Sequence, residues 1–247
     1  MQVGVLPPSD GQHALFEGIA CRLASGCSQV PHQVTGFRGG FAAPFSLSEQ
    51  MMDRIVEPEL LDALPWNHPE ALRARADLRR VNLLMNNSKA LAEYLRMYLP
   101  QFASPSPHLR IVEIGAGDGT VLLAVARRLR RLGVTGDVIM MDRHPVFSDD
   151  TKAAFAALGW KVDLAVVDVL KDLDSTFASA DVVMANMFLH HFQDAQLTRI
   201  FAQLQRKANL VVACEPRRSR PVMMAGKLLW LLGCSALTRH DGALSIR

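Results

Sequence analysis

The chain has 247 residues, and its formal net charge of +3 is too slight to point to nucleic acid as a partner. Hydrophobic residues make up 49%, enough to bury a core without staples, and the length fits one α/β domain plus an extension. Cys21, Cys27, Cys214 and Cys234 form no CxxC pair and no zinc spacing, which suits a reducing compartment and predicts a cytoplasmic location. The N-terminus lacks a basic start followed by a long apolar run, so no signal peptide is read there. Residues 222–237 are apolar but contain Lys227 and are too short for a membrane span; weak membrane-surface contact is the most they suggest.

Residues 1–46, with Pro7-Pro8 and Gly39-Gly40, show no sustained period and are expected to form a weakly structured extension. The remainder would be coherent if it began at Met51 or Met52, so a misassigned start is an open expectation. Ser46 and Glu49 have the spacing of a capping box and open a helical region over 47–100. Pro58 and Pro65 break its first part. From Pro69, Leu72, Ala76, Leu83 and Leu84 recur at helical spacing with arginines opposite. Asn86, Asn87 and Ser88 interrupt, and a second helix over 89–99 ends at Pro100. Two readings stay open for these helices: a simple cover for a sheet, or the wall of a ligand pocket.

Residues 101–247 read as an α/β domain. Its first unit spans 109–120: Ile111, Val112 and Ile114 are β-branched, as a buried strand wants. Gly115, Gly117 and Gly119 follow on alternate positions, and a helix is predicted over 120–131. A strand, a glycine turn and a helix in succession open a doubly wound parallel sheet, where ligands bind at the carboxyl ends of the strands. Glycines permit positive φ and close approach of a ligand. The helix start presents unpaired N–H groups. Such a turn suits a carboxylate, a phosphate or a ribose. A dinucleotide fingerprint would need a glycine where Thr120 stands, and Glu113 at the strand end would repel a pyrophosphate.

The next predicted strand, 137–142, ends in Asp142, beside the glycine turn, where a carboxylate can accept both hydroxyls of a ribose. The competing reading is a helix-capping aspartate. A helix over 148–158 is closed by Gly159, and a third strand over 160–168 ends in Asp168, either functional or a turn residue. Residues 171–177 read as a short connection. A fourth strand over 181–186 runs into 187–194, which holds His190 and His191; a helix over 195–207 and a fifth strand over 209–215 follow. An apolar helix is expected over 223–232.

The segment from Glu113 to Thr120, Glu-Ile-Gly-Ala-Gly-Asp-Gly-Thr, resembles motif I of the class I S-adenosylmethionine-dependent methyltransferases. The resemblance implies that Glu113, Gly115, Ala116, Gly117 and Gly119 cradle the methionine end of S-adenosylmethionine. It implies that Asp142, with Arg143 beside it, serves the ribose. Asp168 would then reach the adenine amino group, the Val169 N–H would serve a ring nitrogen, and Asn186 would line the cofactor site. The Leu-His-His-Phe stretch resembles the form in small-molecule members and implies passage between cofactor and substrate. Glu215-Pro216 is common in the family. Arg217-Arg-Ser-Arg220, the apolar helix and Asp241-Gly-x-Leu-Ser-x-Arg247 are similar to the ubiquinone- and polyketide-associated type.

The implied activity is methyl transfer to a small, apolar or aromatic acceptor on oxygen or carbon. A hydroxyl acceptor must lose a proton, and His190 and His191 are the candidate bases because an imidazole titrates near neutrality. Their alternative role is structural, lining a pocket or capping a helix. His190, His191 and Asp194 offer no convincing ligand geometry, so no metal is expected. Two further functions remain: a nicotinamide-dependent oxidoreductase, and a non-catalytic member of the fold that binds cofactor or a partner. The implied fold is a Rossmann-like parallel sheet of order 3-2-1-4-5. The family's strands six and seven find no sequence in the 32 residues after Glu215, so a truncated or minimal fold is expected. The fifth strand would then expose an edge and favour association into oligomers.

Overall fold

A computed structural model describes residues 2–4, 20–22, 55–101, 107–216 and 220–246. Two short strands, β1 (Gln2–Gly4) and β2 (Ala20–Arg22), precede helices α1 (Leu60–Ala63), α2 (Pro69–Met85) and α3 (Asn87–Tyr98). An alternating series follows: β3 (His108–Ile114), α4 (Thr120–Arg130), β4 (Thr135–Asp142), α5 (Asp149–Ala157), β5 (Trp160–Val166), α6 (Val169–Thr176), β6 (Ala180–Asn186), α7 (Asp194–Lys207) and β7 (Ala208–Glu215). Helix α8 (Arg220–Lys227), a 3-10 turn (Leu228–Leu232) and α9 (Ala236–Leu244) complete the described elements.

Strands β5, β4, β3, β6 and β7 lie side by side and parallel, which is the expected 3-2-1-4-5 order. Both faces are covered, so the central strands are apolar almost throughout. The alternation of side chains divides them between two cores. Ile111, Val138, Met140, Val182 and Val212 pack with Leu91, Leu95, Leu122 and Trp160 on one face. Val112, Ile114, Met141, Val183 and Ala213 pack with Leu173, Leu197, Ile200 and Leu204 on the other. Among the described residues no helix is long and apolar enough to cross a membrane.

The expected open edge is corrected by the structure. Strands β1 and β2 pair antiparallel with the outer side of β7, placing Gln2 opposite Glu215 and Ala20 opposite Val212. They take up ladder groups that would otherwise be unpaired. Six residues of the supposedly unstructured 1–46 region are therefore strand, and the antiparallel partners come from before the helices, not after β7. The capping box at Ser46 and the candidate starts Met51 and Met52 lie outside the described residues.

Three other expectations shift. The stripe Leu72, Leu83 and Leu84 is exposed, whereas Ala71, Ala74 and Asp77 form the buried face of α2. The third parallel strand stops at Val166, and the supposed connection over 171–177 is largely helix α6, because the Asp168 side chain accepts from Leu170 N–H and starts a helix there. The tail after the 3-10 turn, to which no conformation was assigned above, is helical, with Ser235 as its cap.

Candidate active site

Strand β3 delivers the chain into a turn where Gly115, Gly117 and Gly119 have φ of 67°, 55° and 75°. The three are not equivalent. A Cβ at Gly115 would overlap the Phe188 ring, and one at Gly119 would overlap the Met140 side chain. These two glycines are demanded by packing. A Cβ at Gly117 would meet nothing within 4 Å, so Gly117 marks the open side of the turn. Its N–H donates to Asp142 Oδ2 at 2.8 Å, and His144 N–H donates to Asp142 Oδ1 at 2.8 Å. Ala116 N–H donates to the Met141 carbonyl at 3.0 Å. The end of β4 is thereby tied to the glycine turn.

Behind the turn, Glu113 is buried and its Oε2 has no hydrogen-bond partner. Burial, and then the Asp118 and Asp142 charges, push its carboxyl well above the usual range. A buried carboxyl without a partner is costly unless a donor or a cation completes it. Helix α2 lies over the same turn: Arg79 pairs with Asp118 at 2.8 Å, and Arg75 feels the charges of Asp142, Asp62 and Asp118.

The other residues implied for the cofactor make protein contacts. Arg143 pairs with Asp62 at 2.9 Å. Asp168 caps α6 through Leu170 N–H at 3.0 Å and pairs with Lys171 at 3.3 Å. Val169 is buried in the core. Asn186 accepts from Asn87 Nδ2 at 3.0 Å and donates to Asn82 Oδ1 at 3.3 Å, fastening the end of β6 to α2 and α3.

A second cluster forms where β6 and β7 end. Met187 takes a left-handed φ of 52° and turns the chain. Phe188 and Leu189 N–H groups donate to Glu215 Oε1 at 3.0 and 2.9 Å, while Glu215 Oε2 bonds His190 Nδ1 at 2.7 Å. Glu215 therefore fixes both the backbone of this segment and the ring of His190. The opposite nitrogen, Nε2, lies 3.4 Å from Glu59 Oε1. His191 stacks on His190 with centroids 4.3 Å apart, and its Nδ1 is 3.6 Å from Asp62 Oδ2. Burial alone would pull His190 down, but its bonds to Glu215 and Glu59 and their charges raise it to about 9. Burial, helped by the positive charge of His190, lowers His191. Burial opposes the charged forms of Glu215 and Glu59, yet His190 holds both below the usual carboxylate range.

Neither Glu59 nor Glu215 was among the candidate site residues, and Glu59 had no motif of its own to point to it. It precedes α1, where Asp241 of α9 accepts from Leu60 and Leu61 N–H at 3.0 and 2.9 Å and Ser245 bonds Glu59 itself. The one signal was the tail motif containing Asp241 and Ser245. Beside this cluster is a cavity of about 220 Å³, walled by apolar side chains such as Leu78, Val81, Met187, Leu229 and Ile246, with Glu59 at its lining.

Residues 111–209 match the family model described as a methyltransferase domain. That stretch, from β3 to the start of β7, is similar to a methyltransferase domain. A polyketide synthase-nonribosomal peptide synthetase of Aspergillus clavatus is 30% identical over 175 residues, 65% of this chain; the chain spans only 4% of the length of that relative. Among solved structures, the plantazolicin methyltransferase BpumL in complex with SAH shares the fold. It has 16% identity and a TM-score of 0.50, with 73% of this chain and 65% of that one covered. An O-methyltransferase family protein from Burkholderia thailandensis is 22% identical with a TM-score of 0.41, covering 59% of this chain and 40% of that one. Within the matched stretch, the glycine turn and the His190 segment stand together, joined by the Phe188 ring packed on Gly115.

Proposed function

We propose that the methyltransferase domain takes S-adenosylmethionine as methyl donor and methylates a small apolar or aromatic acceptor on oxygen or carbon. The observation that carries this reading is the turn itself. Gly117 leaves open space, Asp142 spans it, and Glu113 waits behind it with an unpartnered buried oxygen. A cofactor with an ammonium group and a ribose diol fits these residues. Glu113 would meet the ammonium. Each oxygen of Asp142 accepts one backbone N–H and keeps a lone pair for a ribose hydroxyl. Bound S-adenosylmethionine supplies an electrophilic sulfonium methyl whose leaving group is already activated, which leaves the protein mainly to align the partners.

The chain's own chemistry lies at His190. Glu215 on Nδ1 sets the ring so that Nε2 faces Glu59 and can exchange a proton with an acceptor. The apolar cavity beside Glu59 suits an acceptor with a hydrocarbon body. His191, stacked behind, contributes to the shape of this pocket. The complex of BpumL with SAH and the polyketide synthase relative support the cofactor and a small-molecule acceptor. Thr120 and the buried Glu113 speak against a nicotinamide dinucleotide, and the family match favours a transferase over a non-catalytic binder.

The test is transfer of labelled methyl from S-adenosylmethionine to a panel of apolar phenols and 1,3-dicarbonyl compounds. At least one acceptor should be methylated, and His190→Gln should slow that transfer by about 10²-fold or more with cofactor affinity retained. Equal rates in the two proteins would remove His190 from the chemistry.

A further inference from the structure

We propose that Glu59, His190 and His191 form a binding site for a first-row divalent cation, with Zn²⁺ as the reference ion, and that this ion competes with the proton for His190 Nε2. The inference goes beyond methyl transfer and needs no acceptor for its test.

The argument starts from the ring of His190. The 2.7 Å bond to Glu215 places a proton on Nδ1, and the second oxygen of Glu215, held by Phe188 and Leu189 N–H, keeps the ring from turning. Nε2 then faces the Glu59 carboxylate at 3.4 Å, and a cation must sit between the nitrogen and that charge. A proton is one candidate. The separation of 3.4 Å is long for it, since charge-assisted N–H···O bonds run at about 2.7–2.9 Å. Two donors on one tetrahedral zinc ion, with bonds of about 2.0–2.1 Å, stand roughly 3.3–3.4 Å apart.

His191 supplies a third donor. The ligand atoms of Glu59, His190 and His191 all lie within 4.8 Å of one another. Glu215 bonds Nδ1 of His190, the outer-shell arrangement which orients metal-binding histidines and raises their basicity. Asp62 stands near Nδ1 of His191, at 3.6 Å, and adds its charge to the site. Three carboxylates around two imidazoles also give the site a negative balance. Glu59 is not a loose arm, because Ser245 bonds it and Asp241 caps the helix that follows. Two imidazoles and one carboxylate are a ligand set for zinc and other first-row ions, with a coordination position left open. Glu59 also lines the apolar cavity, which brings that position to the acceptor's side of the site. An ion here takes the lone pair that would receive a proton, so it would switch the base off.

Zn²⁺ alone, titrated calorimetrically into the chelator-treated full chain, should bind saturably with release of protons. Co²⁺ in its place should give the intense visible absorption of a low-coordinate site. Glu59→Gln and His191→Ala should each weaken Zn²⁺ at least tenfold, while Glu59→Gln keeps its affinity for S-adenosylmethionine, which also reports that it is folded. Absence of saturable binding, or Zn²⁺ affinity unchanged in both variants, overturns the site and leaves a proton as the bridging cation. If a variant fails to fold, imidazole ¹⁵N spectra of the parent chain decide. Zn²⁺ must shift the resonances of His190 and His191, and shifts confined to other histidines refute the proposal. Loss of S-adenosylmethionine binding by the parent would refute the proposed function without touching this one.

Discussion

Glu113 works against the free protein. Its carboxyl is buried and raised well above the usual range, so the folded state binds that proton more tightly than the unfolded chain does. Stability is therefore lost as pH rises above the unfolded carboxylate value, near about 4.3. Glu113→Gln should raise the cofactor-free melting temperature at pH 8, less so at pH 5, and weaken S-adenosylmethionine. Calorimetric melting at the two pH values checks it; a lower melting temperature at pH 8 would contradict the account. Glu113, Gly117 and Asp142 were legible in the sequence because a strand end and its turn are local patterns. Asn186 does end its strand, but Asp168 lies two residues beyond β5 and caps α6, whose own Lys171 pairs with it, and the partners of Arg143 and Asn186, Asp62 and Asn87, come from helices whose packing no periodicity reveals. Glu59 was illegible for the same reason: it reaches His190 through tertiary packing alone.

Helix α9 is the element that fastens the start of α1, and with it Glu59, to α2. Asp241 accepts two N–H groups at the start of α1, and Asp77 of α2 accepts Ser235 N–H, the Thr238 hydroxyl and Arg80. Asp241→Ala should cost about 0.5–2 kcal/mol, the range for losing a helix cap, measured as a lower urea midpoint at constant slope. An unchanged midpoint would mean the latch is idle. Asp77 adds a pH dependence of the ordinary sign. Burial would raise its carboxyl, but its hydrogen bonds to Ser235, Thr238 and Arg80 hold it below the ordinary value. Its contribution is present above the unfolded value, about 3.9, and lost as pH falls through the lower folded one. Asp77→Asn should be less stable than the parent at pH 6 and should lose less on going to pH 3. Urea titrations at both values test this, and parallel losses would contradict it. The tail was not read as helix because Thr238, His240, Asp241 and Gly242 are weak helix formers. Its contacts with α1 and α2 decide its conformation.

At the scale of the molecule, the parallel sheet was legible because strands, helices and the glycine turn alternate in register, and its order followed from the family resemblance. The two short strands on the edge of β7 were not, since three-residue segments far from their partner carry no periodic signal. They imply that removing residues 1–22 would bare the β7 edge and cause association. Light scattering should show the shortened chain self-associating and the full chain not; identical sizes would show that β1 and β2 do not guard the edge. The central claim is that the glycine turn holds S-adenosylmethionine, and isothermal titration tests it most directly. The parent chain should bind S-adenosylmethionine with micromolar affinity and ignore NAD. Gly117→Val, which puts a side chain into the open space at a left-handed φ, should bind neither. Equal affinity in parent and variant, or a preference for NAD, would contradict the account.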